Sequence, residues 1–384
     1  MKKMILAVLC ILLAASLIGC GKSQAETAQA ETAQAETVQA ETEKPEATSA
    51  EIPSDEARTI TDLGGNVIKL PPASAINRVV VMNPPSISML LSILPDTKKI
   101  IGANANAFER ANPEILEKMF PEWQNVETGF MIDGFVANTE EILKLEPDLV
   151  FYYGNMQKPG IENLGIPIVD MMIKGENNPE KVSVAWDNLM REIFEVEAST
   201  TLAKEWEMSN DKAQKALSTY EGEAKSAIYL LSNMGGVITV FGSGTYADTW
   251  FEKGGLVNAA SDVKGQSEVS MEQMHEWDPD YIFVFKGTPA SVMLANQVKG
   301  QDWSLLSAYE HEAIFDIPQT IFSWGAPCSD SPLMPLWLIS KSHPDLLDED
   351  EFSKLFKAYY ERVYDIELDD EFIQSILNGR EETK

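Results

Sequence analysis

The amino-acid sequence predicts an α/β protein in which two α/β lobes, each with a mainly parallel sheet, are joined by one long spine helix. Three observations support this prediction. The length of 384 residues exceeds what one compact core usually holds. Short apolar segments alternate with helical segments in both halves of the chain, which is typical of parallel sheets covered by helices. Between the halves, residues 179–220 carry apolar side chains at helical spacing.

The N-terminus has the pattern of a secretory signal peptide that ends at a lipidation site. Residues 1–3 form a short basic region, residues 4–18 are apolar, and small Gly19 precedes Cys20. This apolar stretch is too short for a membrane span. Residues 17–20, Leu-Ile-Gly-Cys, resemble the bacterial lipobox, in which the cysteine is acylated and becomes the new N-terminus. We therefore expect removal of the signal peptide, residues 1–19, and an extracytoplasmic protein that is anchored to the membrane by lipid on Cys20.

Charge and cysteine usage restrict the possible partners. The chain has 30 basic and 60 acidic residues, and loss of Lys2 and Lys3 with the signal peptide changes the net charge from −30 to −32. This sign argues against nucleic-acid binding and leaves the lipid as the means of membrane attachment. Cys10 leaves with the signal peptide and Cys20 carries the lipid, so Cys328 has no intrachain disulfide partner.

The rest of the chain divides into a linker, two lobes and a connection. Residues 20–58 are predicted to be a flexible acidic linker, because Gln-Ala-Glu-Thr recurs there every five residues with no aromatic side chain. The N-terminal lobe, residues 59–195, starts with a β-hairpin that turns at Gly64-Gly65. The strands predicted for this lobe are 78–82, 99–102, 148–153 and 166–171, and the helices are 87–94, 113–120 and 138–143. The C-terminal lobe, residues 221–384, has predicted strands 227–231, 237–241, 281–285 and 313–317 and helices 248–253, 270–277, 331–340, 350–364 and 369–377.

The connection is predicted to contain two helices. Asn178 is a good N-cap, and Pro179 stands at the first helical position, where its missing N–H costs nothing. The first helix should run over about 179–194 and end near Glu195, where the apolar face changes. The second, residues 196–220, is the predicted spine and would be about 36 Å long.

Residues 138–150, N-T-E-E-I-L-K-L-E-P-D-L-V, form a motif whose main features recur at residues 270–282 in the second lobe. This motif resembles the signature of substrate-binding proteins that serve importers of ferric siderophores, haem and cobalamin. Residues 242–258 and 324–345 are similar to two further segments, so the resemblance covers about residues 60–365.

The resemblance implies an architecture and a set of partners. It implies two lobes, a rigid spine helix, little domain closure and a monomeric protein that binds a small-molecule metal chelate. It also implies delivery to an ABC permease dimer with its ATPase. In the similar proteins, glutamates at the positions of Glu140 and Glu272 meet arginines on the two permease subunits.

The ligand should lie between the lobes, because ligands of open α/β sheets bind outside the carboxyl ends of the strands. The loops that follow the predicted strands offer amide, hydroxyl, aromatic and cationic side chains. Candidates in the first lobe are Asn83, Ser86, Phe108, Arg110, Tyr153, Asn155, Met156 and Lys158. Candidates in the second lobe are Tyr246, Trp250, Lys286, Ser323 and Trp324.

Aromatic faces and cations suit anionic metal chelates. By analogy with the family, a ferric siderophore is the first choice of ligand. Haem, with Met156, Tyr153 or Tyr246 as an axial ligand, is an alternative, and so are cobalamin and molybdate or tungstate. The protein itself is expected to need no cofactor.

An enzyme is disfavoured because the sequence offers no recognisable catalytic group. His275, His311 and His343 are not spaced for a helical zinc site. Ser243 lies in Gly-Ser-Gly but without the strand, turn and long helix of a nucleophile elbow. A surface enzyme or adhesin that reuses the bilobal fold is the alternative from another functional class.

Overall fold

In the computed structural model, the residues described are 57–132, 135–197 and 199–380. The predicted signal peptide, Cys20 and the linker up to residue 56 lie outside these ranges. Over the described ranges, no helix combines the length and apolar character that crossing a membrane requires.

The first lobe is built on a four-stranded parallel sheet. Its elements in chain order are β1 (Arg58–Thr61), β2 (Val67–Leu70), β3 (Val79–Val81), α1 (Ser86–Ile93), β4 (Ile100–Ala103), α2 (Asn106–Glu109), α3 (Pro113–Met119), α4 (Thr139–Lys144), β5 (Leu149–Tyr152), α5 (Gly154–Gln157) and β6 (Ile168–Asp170). Strands β1 and β2 form the predicted hairpin, and the sheet order is β4-β3-β5-β6. All residues of β3 and β5 are buried, as expected for central parallel strands covered on both faces.

The second lobe has a larger and mixed sheet. Together with the connecting helices α6 (Pro179–Phe194) and α7 (Leu202–Leu217), the remaining elements are β7 (Lys225–Met234), β8 (Val237–Phe241), α8 (Tyr246–Gly254), β9 (Leu256–Asn258), β10 (Gln266–Val269), α9 (Met271–Trp277), β11 (Tyr281–Val284), α10 (Ala290–Leu294), α11 (Ser307–Glu310), β12 (Ile314–Asp316), α12 (Leu333–Ser342), α13 (Glu349–Tyr364) and α14 (Asp370–Leu377). The sheet order is β10-β8-β7-β11-β12, with β9 beside β7. Strand β8 is antiparallel to both neighbours, whereas β7, β9, β11 and β12 pair in parallel.

The predicted fold class, two α/β lobes with mainly parallel sheets, is confirmed. Each predicted strand is present with its ends shifted by a few residues. Strands β9 and β10 were not predicted, because β10 alternates exposed and half-buried polar residues and β9 is only three residues long.

The connection differs from the single spine helix that the sequence predicted over 196–220. Helix α6 has the predicted bounds, with Asn178 accepting a hydrogen bond from the Lys181 N–H and Pro179 in its first turn. It ends at Glu195, whose left-handed conformation (φ 53°) closes the helix. The second helix begins only at Leu202, after the N-cap Thr201, and has 16 residues, or about 24 Å. The β-branched threonines before Leu202 favour a capping conformation over a helical one.

Helices α6 and α7 form an antiparallel pair that links the lobes. Asp187 accepts a hydrogen bond from the Leu202 N–H (3.1 Å), and the Trp206 indole donates to the Ser183 hydroxyl (2.9 Å). Helix α6 packs against α1 of the first lobe, and α7 packs against α8 and α12 of the second. Two 16-residue helices that pack against each other therefore connect the lobes, instead of one long helix.

Candidate ligand site between the lobes

A cavity of about 740 Å³ lies where loops of the two lobes meet. The first lobe contributes residues 109–113, which follow α2, and the second contributes residues 286–289 after β11 and 316–319 at the end of β12. Direct bonds hold the lobes together nearby. The Asn112 N–H donates to the Thr320 carbonyl (2.6 Å), and the Ser329 N–H donates to the Ser88 hydroxyl (3.1 Å). The position at the carboxyl ends of β11 and β12 is where an open α/β sheet binds its ligands.

Three cationic side chains line this cavity, from three different parts of the chain: Arg110, Lys286 and Arg380. The Arg110 guanidinium lies 5.1 Å from the centre of the Phe285 ring. Arg380 is paired with Asp316 (Nε to Oδ1, 2.9 Å). Within the described ranges, neither Arg110 nor Lys286 forms an ion pair.

The electrostatic setting of Arg110 and Lys286 disfavours their charges. Burial lowers the pKa of Arg110, and nearby Arg380 lowers it further, although Tyr229 and Glu109 act in the opposite direction. Burial also lowers the pKa of Lys286, and the charge of Arg110 adds to that effect. Two partly desolvated cations that repel each other would be stabilised by an anion placed between the lobes.

Aromatic side chains pack beside these cations. Tyr229 stacks on Phe241 with ring centres 5.0 Å apart, and Tyr246 meets Phe241 edge-on at 6.4 Å. Tyr153 of the first lobe hydrogen-bonds to Tyr246 of the second. Burial raises the pKa of both phenols, which disfavours the phenolate form that binds iron.

Asn83 and Ser323 combine burial with unused hydrogen-bonding capacity. Asn83 follows β3 and is 5% exposed, and Ser323 follows β12 with no exposed surface. Among the described residues, the Asn83 Nδ2 and the Ser323 Oγ have no hydrogen-bond partner. The predicted candidate Ser86 differs, because its hydroxyl donates to the Asn83 carbonyl (2.8 Å).

Apart from Arg110 and Lys286, none of the predicted ligand residues lines this cavity. Trp250 and Trp324 have no exposed surface, and their indoles donate to the Gly325 carbonyl (2.9 Å) and the Thr320 hydroxyl (2.7 Å). Phe108 packs against Phe120 and Trp123. Asn155 and Met156 are exposed on the short helix α5, and Lys158, just beyond it, is half-buried. The tryptophans were predicted because they stand near loops, but their indole rings face the core.

Sequence reasoning predicted only Arg110 and Lys286 among the cavity residues, and the polar or flexible side chains that it missed include Asn112, Met234, Asp316 and Arg380. Met234 precedes Gly235 and Gly236, whose positive φ angles (61° and 85°) form the turn between β7 and β8. That glycine pair is a hairpin signal that could have placed Met234 at a strand end. Arg380 follows the last helix, and no local pattern marks it as a cavity residue.

Glu140 and Glu272 occupy equivalent positions on the two lobes. Each is exposed in the first turn of a short helix, α4 or α9. The caps are also alike, since Asn138 accepts a hydrogen bond from the Glu140 N–H and Ser270 from the Gln273 N–H. Hydrogen bonds from its own backbone N–H and from Ser270 hold the pKa of Glu272 below its usual value.

Comparisons with known proteins agree with this architecture. Residues 134–320 match the model of the periplasmic binding protein family. This segment, just under half of the chain, resembles that family. It is 26% identical over 326 residues to the molybdate-binding protein MolA of Haemophilus influenzae, an alignment that covers 80% of this chain and 91% of the relative.

Solved structures show the same fold. A periplasmic solute-binding protein from Veillonella parvula is 25% identical, with a TM-score of 0.71, and the match covers 84% of this chain and 97% of that one. Helicobacter pylori CeuE in a nickel–histidine complex is 19% identical, with a TM-score of 0.67, over 84% of this chain and 99% of the other. Periplasmic binding proteins act outside the cytoplasm, bind small solutes and work with ABC permeases and their ATPases.

Among the described residues, no group of three or more His, Cys, Asp or Glu side chains is placed to hold a metal ion. The cavity is lined by the cations Arg110, Lys286 and Arg380, which can bind anionic oxygens.

Proposed function

We propose that this periplasmic binding protein captures an anionic metal chelate of the ferric siderophore type and delivers it to an ABC importer. The observation that carries the proposal is the pair Arg110 and Lys286, which reach one cavity from opposite lobes and have no acidic partner in the described ranges. On a chain with a net charge of −30, two such cations select for negative charge. A volume of about 740 Å³ lies within the range of sites for organic ligands of moderate size.

Molybdate is the second candidate, and two observations favour it. The relative from Haemophilus influenzae is a molybdate-binding protein. In addition, Asn83 Nδ2 and Ser323 Oγ, which do not line the cavity, are buried donors without partners among the described residues, and donors of this kind suit a small oxyanion. A single tetrahedral oxyanion would fill only a small part of the cavity, which is why the chelate is the first candidate.

Metal analysis and an absorption spectrum of protein purified from its own host distinguish these ligands. Bound iron without a Soret band supports the chelate, and bound molybdenum supports the oxyanion. A Soret band would instead indicate haem. A protein that carries neither metal, and that binds neither ferric citrate nor molybdate in a calorimetric titration, contradicts both candidates.

The proposed membrane attachment is through lipid on Cys20. The Cys20→Ser variant should leave the membrane fraction and appear in soluble extracytoplasmic material, as measured by fractionation and immunoblotting. Retention of this variant in the membrane would rule out lipidation as the anchor.

The proposed contact with the permease dimer uses Glu140 and Glu272. Both are exposed and similarly capped, so two carboxylates could meet arginines on two equivalent permease subunits. Glu140→Lys combined with Glu272→Lys should abolish ligand uptake by cells and leave ligand affinity unchanged. The matched control is Glu361→Lys with Glu371→Lys, which reverses two exposed charges on α13 and α14. Normal uptake by the Glu140/Glu272 variant, or lost uptake by the control, contradicts this contact.

A further inference from the structure

Asp316 places a carboxylate in a cavity that we propose binds an anion. It is the last residue of β12, its side chain is 2% exposed, and it lines the same cavity as Arg110 and Lys286. The Ala290 N–H donates to its Oδ2 (3.2 Å). Without further neutralisation, this carboxylate would repel a negative ligand.

Arg380 covers this carboxylate with several bonds. Its Nε donates to Asp316 Oδ1 at 2.9 Å, its Nη2 bonds to the same oxygen, and its backbone N–H donates to Oδ2 at 3.1 Å. Its Nη1 donates to the Gly287 carbonyl (3.1 Å), which belongs to the loop after β11. Arg380, which lies beyond the last helix, thus joins the ends of two neighbouring strands, β11 and β12.

The backbone before Arg380 is adapted to this contact. Gly379 has a φ of +85°, in the left-handed region that favours glycine. A Cβ atom on Gly379 would lie 3.1 Å from Asp316 Oδ2. Both the turn and the close approach therefore depend on glycine at this position.

The charges that line the cavity show what Arg380 contributes. The cavity is lined by three cations, Arg110, Lys286 and Arg380, and by two carboxylates, Glu109 and Asp316. The lining therefore has an excess of one positive charge. Removal of Arg380 would cancel this excess and leave Asp316 unpaired beside the ligand. We propose that Arg380 is a positioning residue that masks Asp316, so that the C-terminal segment sets the cavity's selectivity for anions. This inference rests on the proposed function, and it concerns a residue outside the segment that matches the family model, 134–320.

A double-mutant cycle with Arg380→Gln and Asp316→Asn tests this role. Ferric citrate and sodium molybdate are titrated into the full-length protein, its two single variants and the double variant by calorimetry. For the probe that wild-type protein binds, Arg380→Gln should weaken binding by about tenfold, because it exposes a carboxylate to the anion. The double variant should recover to within about threefold of wild-type affinity, since it has no carboxylate to mask.

Two further variants distinguish the loss of masking from a general effect of removing a positive charge. Arg380→Lys keeps the charge and should keep most of the affinity, and Lys354→Gln removes an exposed cation of α13 and should change nothing. Melting temperatures of all variants show whether each one is folded. If Arg380→Gln is less stable, all titrations are made at a lower temperature at which the four proteins are folded.

The outcomes distinguish this inference from the proposed function. Unchanged affinity in Arg380→Gln, or a double variant as weak as Arg380→Gln, overturns the masking role; in the second case Arg380 would contact the ligand itself. If Arg110→Gln weakens binding while Arg380→Gln does not, only the masking role is lost. If wild-type protein binds neither anion, both proposals fail.

Discussion

Asp330 and Arg110 are both charged groups withdrawn from water, and their surroundings differ sharply. Asp330 is fully buried, and its carboxylate accepts hydrogen bonds from the hydroxyls of Thr320, Tyr360 (2.8 Å) and Tyr364 (2.6 Å). Arg110 contacts the face of Phe285 but has no acidic partner among the described residues. The carboxylate has a completed set of partners, whereas the guanidinium has an incomplete one.

This difference distinguishes a charge that stabilises the fold from a charge that is available to bind a ligand. A buried network in which every group has a partner holds its elements in one arrangement. Here it connects Tyr360 and Tyr364 of α13 to Asp330, near the contact between the lobes. A cation whose partners are missing costs free energy unless a ligand supplies them. We therefore expect substitutions at Asp330 to affect stability and substitutions at Arg110 to affect binding.

The largest effect is expected for Asp330→Ala. It removes the acceptor of the buried Thr320 and Tyr360 hydroxyls and one of the two partners of the Tyr364 hydroxyl. The free energy of unfolding should therefore fall by about 3–5 kcal/mol, measured by chemical denaturation. Asp345→Ala, at an exposed position, is the control and should stay within about 0.5 kcal/mol of wild type. A loss below about 1 kcal/mol at Asp330 would contradict a structural role for the network.

In contrast to Asp330→Ala, Arg110→Gln should weaken ligand binding and have little effect on stability. Loss of a charged hydrogen-bond donor should weaken anion binding by about 10- to 100-fold, measured by calorimetry. The free energy of unfolding should change by less than about 1 kcal/mol, because no ion pair is broken. Arg110→Lys retains the charge and should retain part of the affinity. Strong destabilisation with unchanged affinity would reverse the assignment of the two sites.

His343 offers a smaller test, because it is buried and does not line the cavity, and its Nε2 has no partner in the part of the chain that the structure describes. Burial, helped by the charge of Lys225, lowers the pKa of His343 from 6.5 to about 4. Between these values the unfolded chain binds a proton that the folded protein does not, so stability falls as the pH falls. From pH 6.5 to 5, wild-type protein should lose about 1–2 kcal/mol more than His343→Gln, with equal ligand affinity. Parallel stability profiles for the two proteins would exclude this effect.

The fold could be predicted because its signals are local. The apolar runs around Val79–Val81 and Leu149–Tyr152 indicated parallel strands, and Asn178 with Pro179 marked the start of α6. The prediction of one spine helix over 196–220 is wrong at its start, because Glu195 ends α6 and Thr201 caps α7, so residues 196–201 are not helical. Short caps inside a long periodic stretch are easily overlooked when only the apolar spacing is followed.

The candidate site was only partly predictable, because it depends on side-chain direction and on distant chain segments. Arg110 and Lys286 follow strands or short helices, where ligand contacts are expected, and they do line the cavity. Trp250 stands in an equally promising stretch, but it faces the core and stacks on Trp206 at 5.9 Å. Arg380 reaches Asp316 from 64 residues away, a separation over which local patterns carry no information.

A crystal structure of the protein loaded with the ligand that it carries from its host tests the central claim most directly. We predict anionic oxygens of that ligand within about 3 Å of both the Arg110 guanidinium and the Lys286 ammonium. A ligand bound elsewhere, or one that leaves both cations unpaired, would contradict the account.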